Sequence, residues 1–247
     1  MTYQYLAQVY DDLMGDYDYD EVYHFLESQV DHFGNILEMA CGTGSLTEKL
    51  VKKGPVTAFD GSEEMLQVAR DKLGYNPRVF LLRQDLRTFQ LTEKYRTILC
   101  FCDSLNYLLK PGDLLSSFQQ VEKHLEEGGL FIFDVNTVHK YRAMGEEVFF
   151  QENENALGLW QNTYHEDSQI NDYNLTLFYK DQDQDLYYRE DEFHRQRAYG
   201  QEEIENLLDQ AGLYPLAFYD GYRELEARED TDRLICLARK KDRKSVV

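Results

Sequence analysis

Apolar positions along the chain recur first with a helical spacing, then in short unbroken runs, then in alternation. Leu6, Val9, Tyr10 and Leu13 share one face of a short helix within Tyr3 to Met14, which Gly15 ends. Val22, Phe25, Leu26, Val30 and Phe33 form the inner face of a second helix, from about Asp20 to Phe33. Apolar runs too short for helices follow at Ile36–Met39, Val56–Phe59, Val79–Leu82, Thr97–Cys102 and Leu130–Phe133, and predict five strands. Ser45 with Glu48 three residues on predicts a helix opened by a capping box, and Lys52, Lys53, Gly54 and Pro55 close it. Ser62 caps the next helix, with Glu63 and Glu64 in its first turn and Gly74 at its end. A helix from about Asp113 to Leu125 stops at Gly128 and Gly129. Apolar strands between amphipathic helices predict a parallel sheet covered on both faces.

Between Val138 and Tyr199 the helical period disappears. Aromatic-rich segments stand at Val148–Phe150, Leu157–Tyr164, Tyr173–Tyr179 and Leu186–Phe193, and Asp181–Asp185 reads as a turn between the last two. Tyr173, Leu175, Leu177 and Tyr179 alternate with Asn174, Thr176 and Phe178 in the period of a strand. The segment is therefore expected to form an antiparallel sheet, with no helix. The helical period returns at Glu202–Ala211, and Leu213–Phe218 and Leu234–Ala238 read as two closing strands.

The chain has 247 residues, enough for one domain with an elaboration. Its 46 acidic against 26 basic side chains give a formal net charge of -20. That field repels phosphate backbones and counts against nucleic acid as a partner; the basic cluster Arg239–Lys244 reads as a solvated end. Cys41, Cys100, Cys102 and Cys236 have neither disulfide-framework nor zinc-like spacing and read as buried thiols, and no metal is expected. The first twenty residues have no basic or apolar leader pattern, and no apolar run approaches bilayer length. A reduced, cytoplasmic protein without membrane contact is the expectation.

The chemistry concentrates in ILEMACGTGSLTEKL, Ile36 to Leu50. Gly42 and Gly44 begin a dinucleotide fingerprint, but Thr47 stands where its third glycine belongs, and no phosphate-loop pattern exists. Acids lie instead at the carboxyl ends of three successive strands: Glu38, Asp60 and Asp85. Open α/β sheets bind ligands at such strand ends. Three acids beside a glycine loop suit a ligand carrying a ribose, an amine and a positive charge, and do not suit pyrophosphate.

These segments resemble the class I S-adenosylmethionine-dependent methyltransferases. LEMACGTG is similar to their first motif, VTAFDGSEEML to the second, LLRQDL to the third, and CFCDSLNYLL and GGLFIFDVNT to those of strands four and five. The resemblance implies an α/β fold: a Rossmann-like, seven-stranded, mostly parallel sheet with helices on both faces, plus an inserted antiparallel sheet. Residues 1–137 and 199–247 would bind the cofactor, with 1–34 as a helical lid and 138–198 as the insert. It implies S-adenosyl-L-methionine as cofactor, with Glu38 orienting the glycine loop and the methionine amino group, and the backbone at Ala40, Gly42 and Gly44 lying along the ligand. Asp60, next to Gly61, would take the ribose hydroxyls, and Met65 would pack on the adenine. Asp85 and the Leu86 amide would meet the adenine edge, and the Cys102 region would face the methionine part. The pattern of Tyr3, Tyr10 and Tyr19 resembles the lid of small-molecule methyltransferases, which assigns Tyr10 and Tyr19 to the cofactor.

Asp103, Asn106 and Tyr107 follow the fourth strand, where an acceptor would sit; Asp103 is the leading candidate to bind or deprotonate it, with Asn106 beside it. Turn capping explains Asp103 and Asn106 equally well. His139, His165 and His194 fall in or beside the insert, where they could face the pocket, although a lone histidine in such a place is more often a surface residue. The insert resembles the extra sheet of N-methyltransferases acting on glycine or amino sugars, where it walls the acceptor site or pairs two copies; Trp160, Tyr164, Tyr179, Tyr188 and Phe193 suit either role. A small-molecule acceptor and a homodimer through the insert are therefore expected. Methylation of RNA or protein, and non-catalytic binding of the cofactor, stay open at this point.

Overall fold

The computed structural model describes residues 3–15, 17–181 and 186–241. The Asp181–Asp185 turn and the basic cluster at Arg239–Lys244 therefore lie partly outside the described residues.

Seven strands form one sheet in the order β10-β11-β5-β4-β1-β2-β3. They are β1 (Ile36–Met39), β2 (Val56–Asp60), β3 (Val79–Arg83), β4 (Tyr95–Cys100), β5 (Leu125–Asn136), β10 (Leu213–Asp220) and β11 (Arg233–Lys240). β1 pairs in parallel with both β2 and β4, whereas β11 runs antiparallel to β5 and β10. The chain leaves β1 for β2 and β3 on one side and fills β4 and β5 on the other. A crevice opens at the carboxyl ends where the winding reverses.

Alternate residues of these strands feed two cores. Leu37, Met39, Phe131 and Phe133 pack with α5 (Pro111–His124) and α7 (Gln201–Ala211) through Phe118, Val121, Ile204 and Leu208. Ile36, Ala58, Leu99 and Ile132 pack with α2 (Tyr19–Gln29), α3 (Ser45–Leu50) and α4 (Glu63–Leu73) through Phe25, Leu50 and Leu66. The expected two-sided, mostly parallel sheet is present.

The inserted sheet is antiparallel, in the order β6-β7-β8-β9: Val148–Glu152, Ala156–His165, Ile170–Lys180 and Tyr187–Arg197. One expectation fails here. Val138–Met144 is a helix, α6. Thr137 caps it by accepting from the Lys140 amide, and its single buried residue is Tyr141. One buried side chain leaves no apolar period to read.

Helix α1 (Leu6–Leu13) crosses from the main body to this sheet, where Leu6, Val9 and Leu13 pack on Ala156, Leu175 and Leu177. It begins later than the apolar pattern suggests, and α2 ends at Gln29 rather than near Phe33, with Asp18 as its cap. Ser45 does not cap α3. Gly44, left-handed at φ 79°, holds the cap position, and the Ser45 hydroxyl donates to Asp11 and accepts from Lys72.

Candidate active site

A cavity of about 700 Å³ occupies the crevice at the carboxyl ends of β1 to β4. Glu38, Asp60 and Asp85 line it, as do Ala40, Gly42, Gly61, Met65, Leu86 and Cys102. Tyr3, Tyr10 and Tyr19 line it from the N-terminal segment, and Tyr107 adds a fourth phenol from the turn after β4. The volume lies within the range of small-molecule and cofactor sites.

The glycine loop gives its backbone to this cavity. Gly42 has φ +54°, and a Cβ there would meet nothing within 4 Å, so the left-handed turn leaves the main chain open to a ligand. Gly44 is absent from the cavity wall. A Cβ at Gly44 would approach Leu73 at 3.0 Å and Ala69 at 3.3 Å, so this glycine lets α3 pack on α4. Ala40 at φ 53°, and Cys102 and Asp103 at φ 59° and 48°, are also left-handed. Such backbone costs about 1–3 kcal/mol per residue and persists only where the surroundings enforce it.

The three acids differ in state. Glu38 is buried on β1 and accepts from Thr47 Oγ1 at 2.5 Å. Burial pushes its carboxyl up to about 8; the Thr47 bond opposes this and nearby Asp60 adds to it. Asp60 accepts from the Gly42 amide at 2.9 Å and the Ser62 amide at 2.8 Å, and so ties the glycine loop to the end of β2. Burial raises its carboxyl above the usual range against those amide bonds. Asp85 sits half-exposed in a two-pronged pair with Arg87, which lowers it. Arg83 donates to the Gly61 carbonyl, so both of these arginines are held by protein acceptors. Buried acids with spare lone pairs fit the hydroxyls and ammonium of S-adenosylmethionine.

Asp103 and Asn106 are not brought to the cavity wall. Asn106 is fully buried and clamps backbone: its amide donates to the Asn136 and Arg197 carbonyls and accepts from the Asn136 amide. Asp103 binds Arg233 at 3.0 Å through one oxygen and Gln196 at 2.6 Å through the other. Burial would raise its carboxyl, but Arg233, Lys140 and Gln196 outweigh it and hold it below the usual carboxylate range. Asp134 completes the cluster, accepting from the Asp103 amide at 2.9 Å, from Tyr222 and from Arg233. The cluster holds the left-handed turn after β4.

Of the three histidines, His139 and His165 are exposed beside Asp232 and Asp172. His194 is different, with only 4% of its surface exposed. It lies on β9 between Tyr107, 3.0 Å from Nδ1, and Glu192, 3.0 Å from Nε2. Glu192 and Arg233 were not candidates from the sequence. Apart from His194 two residues on, the partners of Glu192 are amides 186 or more residues away, and those of Arg233 are carboxylates 99 or more residues away, so the local sequence marks neither.

Residues 36–129 match a family model described as a methyltransferase domain. YqeM of Bacillus subtilis (strain 168), whose name assigns it provisionally to the methyltransferases, is 32% identical over 245 residues, covering 97% of this chain and 98% of its own. A crystal structure of an S-adenosylmethionine-dependent methyltransferase from Clostridium acetobutylicum ATCC 824 superposes with a TM-score of 0.84 at 32% identity, covering 97% of this chain and 99% of that one. A Streptomyces venezuelae enzyme named dTDP-3-amino-3,4,6-trideoxy-alpha-D-glucopyranose N,N-dimethyltransferase is 29% identical over 115 residues, 46% of this chain and 47% of its own. Among the described residues no helix is long and apolar enough to cross a membrane, and no group of three or more His, Cys, Asp or Glu could hold a metal ion. With an acid-lined crevice, a glycine loop open to it and two relatives at 32% identity matched over nearly their whole length, the chain belongs to the S-adenosylmethionine-dependent methyltransferases.

Proposed function

We propose that this methyltransferase transfers its methyl group to a nitrogen or oxygen of a small-molecule acceptor. The cofactor supplies a methyl already activated by a sulfonium, so the protein's task is alignment and exclusion of water. Alignment alone can contribute on the order of 7–11 kcal/mol to lowering the barrier. Asp60 would take the ribose hydroxyls, Glu38 the amino group, Met65 and Leu86 the adenine with Asp85 at its edge, and Cys102 the methionine part. Residues 138–198, as a separate inserted unit, would wall the acceptor side.

The observation that carries this reading is one cavity lined by Tyr3, Tyr10 and Tyr19 together with the three strand-end acids. An acid-lined cavity of this size suits a small acceptor and a cation, and the net charge of -20 disfavours an RNA strand. Similarity to an enzyme named for an amino-sugar substrate favours an amine. The test is to incubate the protein with S-adenosylmethionine and a panel of dTDP-amino sugars, amino acids and hydroxylated metabolites, and to follow S-adenosylhomocysteine by mass spectrometry. Turnover with at least one small acceptor is expected. Turnover only with RNA or protein, or with nothing, would contradict the proposal.

A further inference from the structure

A file of four hydrogen-bonded side chains runs from the cavity wall into the inserted sheet. Tyr3 and Tyr107 line the cavity, and their hydroxyls lie 2.7 Å apart. Tyr107 Oη lies 3.0 Å from His194 Nδ1, and His194 Nε2 lies 3.0 Å from Glu192 Oε2. His194 and Glu192 are 4% and 7% exposed, so the inner end of the file is shut off from water. The Tyr3 ring also meets the His194 ring edge-on, with centroids 4.9 Å apart.

The direction of every proton in this file follows from Glu192. Its carboxylate accepts from the backbone amides of Tyr3 at 2.8 Å, Tyr5 at 2.5 Å and Leu6 at 2.9 Å, as well as facing His194. Burial would raise it, but the His194 bond and the three amides outweigh burial and hold it below the usual range. An ionised carboxylate only accepts, so His194 must carry its proton on Nε2. Nδ1 of the neutral ring is then an acceptor, and Tyr107 must donate to it. The Tyr107 oxygen in turn receives the Tyr3 proton, which leaves the Tyr3 oxygen with its lone pairs free toward the cavity. Burial raises both phenols well above their ordinary range, so they pass a proton on rather than ionise.

We propose that Tyr3, Tyr107 and His194 form a relay that removes the acceptor's proton, with Glu192 as the positioning residue that sets its polarity. The inference rests on the proposed small-molecule transfer. The acceptor atom attacks the methyl carbon, and the carbon–sulfur bond breaks with its electron pair remaining on sulfur. The proton on the acceptor atom passes to the Tyr3 oxygen, the Tyr3 proton to Tyr107, and the Tyr107 proton to Nδ1 of His194. One proton is lost by the acceptor and one is gained by the imidazole, whose new charge faces Glu192. Around the relay, Tyr10, Asp103 and Asp60 act on Tyr3, Tyr173 acts on Tyr107, and Tyr173 pairs with His194 across the sheet. Asp103 also acts on Tyr107, and a cation, Arg233, binds Asp103 and acts on Tyr173. Because Glu192 holds the first residues of the N-terminal segment, the relay is assembled only when that segment is seated.

The full-length protein, labelled with nitrogen-15 at histidine and saturated with S-adenosylhomocysteine, tests this by long-range proton–nitrogen spectra at pH 8. The His194 signals are assigned by their loss in His194→Gln. A ring protonated on Nε2 alone is expected, with its Nδ1 signal shifted in Tyr107→Phe as the hydrogen bond is removed. A ring protonated on Nδ1 overturns the proposal, because the file would then deliver a proton to the cavity instead of taking one. With a dTDP-amino sugar as acceptor probe, Tyr107→Phe and His194→Gln are expected to lower kcat about 10²–10⁴-fold. Cofactor affinity should stay unchanged in both variants. Full turnover in both variants also overturns it. The tautomer is read without an acceptor, so a protein that methylates no probe fails the proposed function while this test still gives its answer.

Discussion

At the residue scale, Glu38 and Asp60 are neighbours in space under different constraints. Asp60 keeps two amide donors, whereas Glu38 has a hydroxyl donor and a buried site. With its carboxyl near 8, Glu38 is protonated in the free protein at neutral pH, mainly because burial disfavours its charge. The unfolded chain ionises this group near the usual value of about 4.3, so its contribution to stability is lost as pH rises from there toward 8. An ammonium group in the cavity needs the ionised form. Affinity for S-adenosylmethionine is therefore expected to rise with pH toward about 8, by up to about tenfold per pH unit, and to fall above it as the ligand's own ammonium deprotonates. In Glu38→Gln this slope should vanish. Calorimetry at several pH values, in buffers of differing ionisation enthalpy, reads both the slope and the proton released; a pH-independent affinity in the native protein would remove Glu38 from contact with the amine.

At the scale of elements, the parallel strands and their helices were legible because each carries its own signal. Unbroken apolar runs, a serine cap at Ser62, and a glycine stop at Gly74 or Gly212 are all local. The strand-end acids were legible for the same reason, since Glu38 stands in one stretch with the glycine loop and Asp60 and Asp85 each follow an apolar run of their own. What failed was non-local. Ser45 has the spacing of a cap, but Asp11 from α1 and Lys72 from α4 claim its hydroxyl. Asn106 has the look of a site residue, yet three backbone groups consume its amide. His194 reads as a surface histidine until β8 and the N-terminal segment bury it. The same non-locality gives α1 its mechanical role, as Leu6, Val9 and Leu13 rest on Leu175 and Leu177 of the insert. Leu177→Ala should cost about 2–5 kcal/mol for the cavity it leaves in this small core. It should also weaken cofactor binding, because Tyr3 and Tyr10 would lose their support. Denaturant melts and calorimetry on one variant measure both effects, and a destabilised protein with native cofactor affinity would separate the helix from the site.

At the scale of the whole molecule, the cavity is built by three bodies: the strand ends of the main sheet, the N-terminal segment and the turn after β4. Two latches seat the N-terminal segment. Asp11 binds Thr43 of the glycine loop at 2.6 Å and Lys72 at 2.7 Å, and Glu192 of the insert holds the amides of Tyr3, Tyr5 and Leu6. Cofactor loop and insert are thereby joined through one short helix. The most direct measurement of this account is calorimetric titration of the native protein and of Asp60→Ala with S-adenosylmethionine, S-adenosylhomocysteine and NAD. The prediction is binding of both sulfur ligands, none of NAD, and a loss of about 1–3 kcal/mol for both sulfur ligands in Asp60→Ala, where ribose hydroxyls lose a buried partner. Equal affinity in the variant, or binding of NAD in preference to the sulfur ligands, would contradict it.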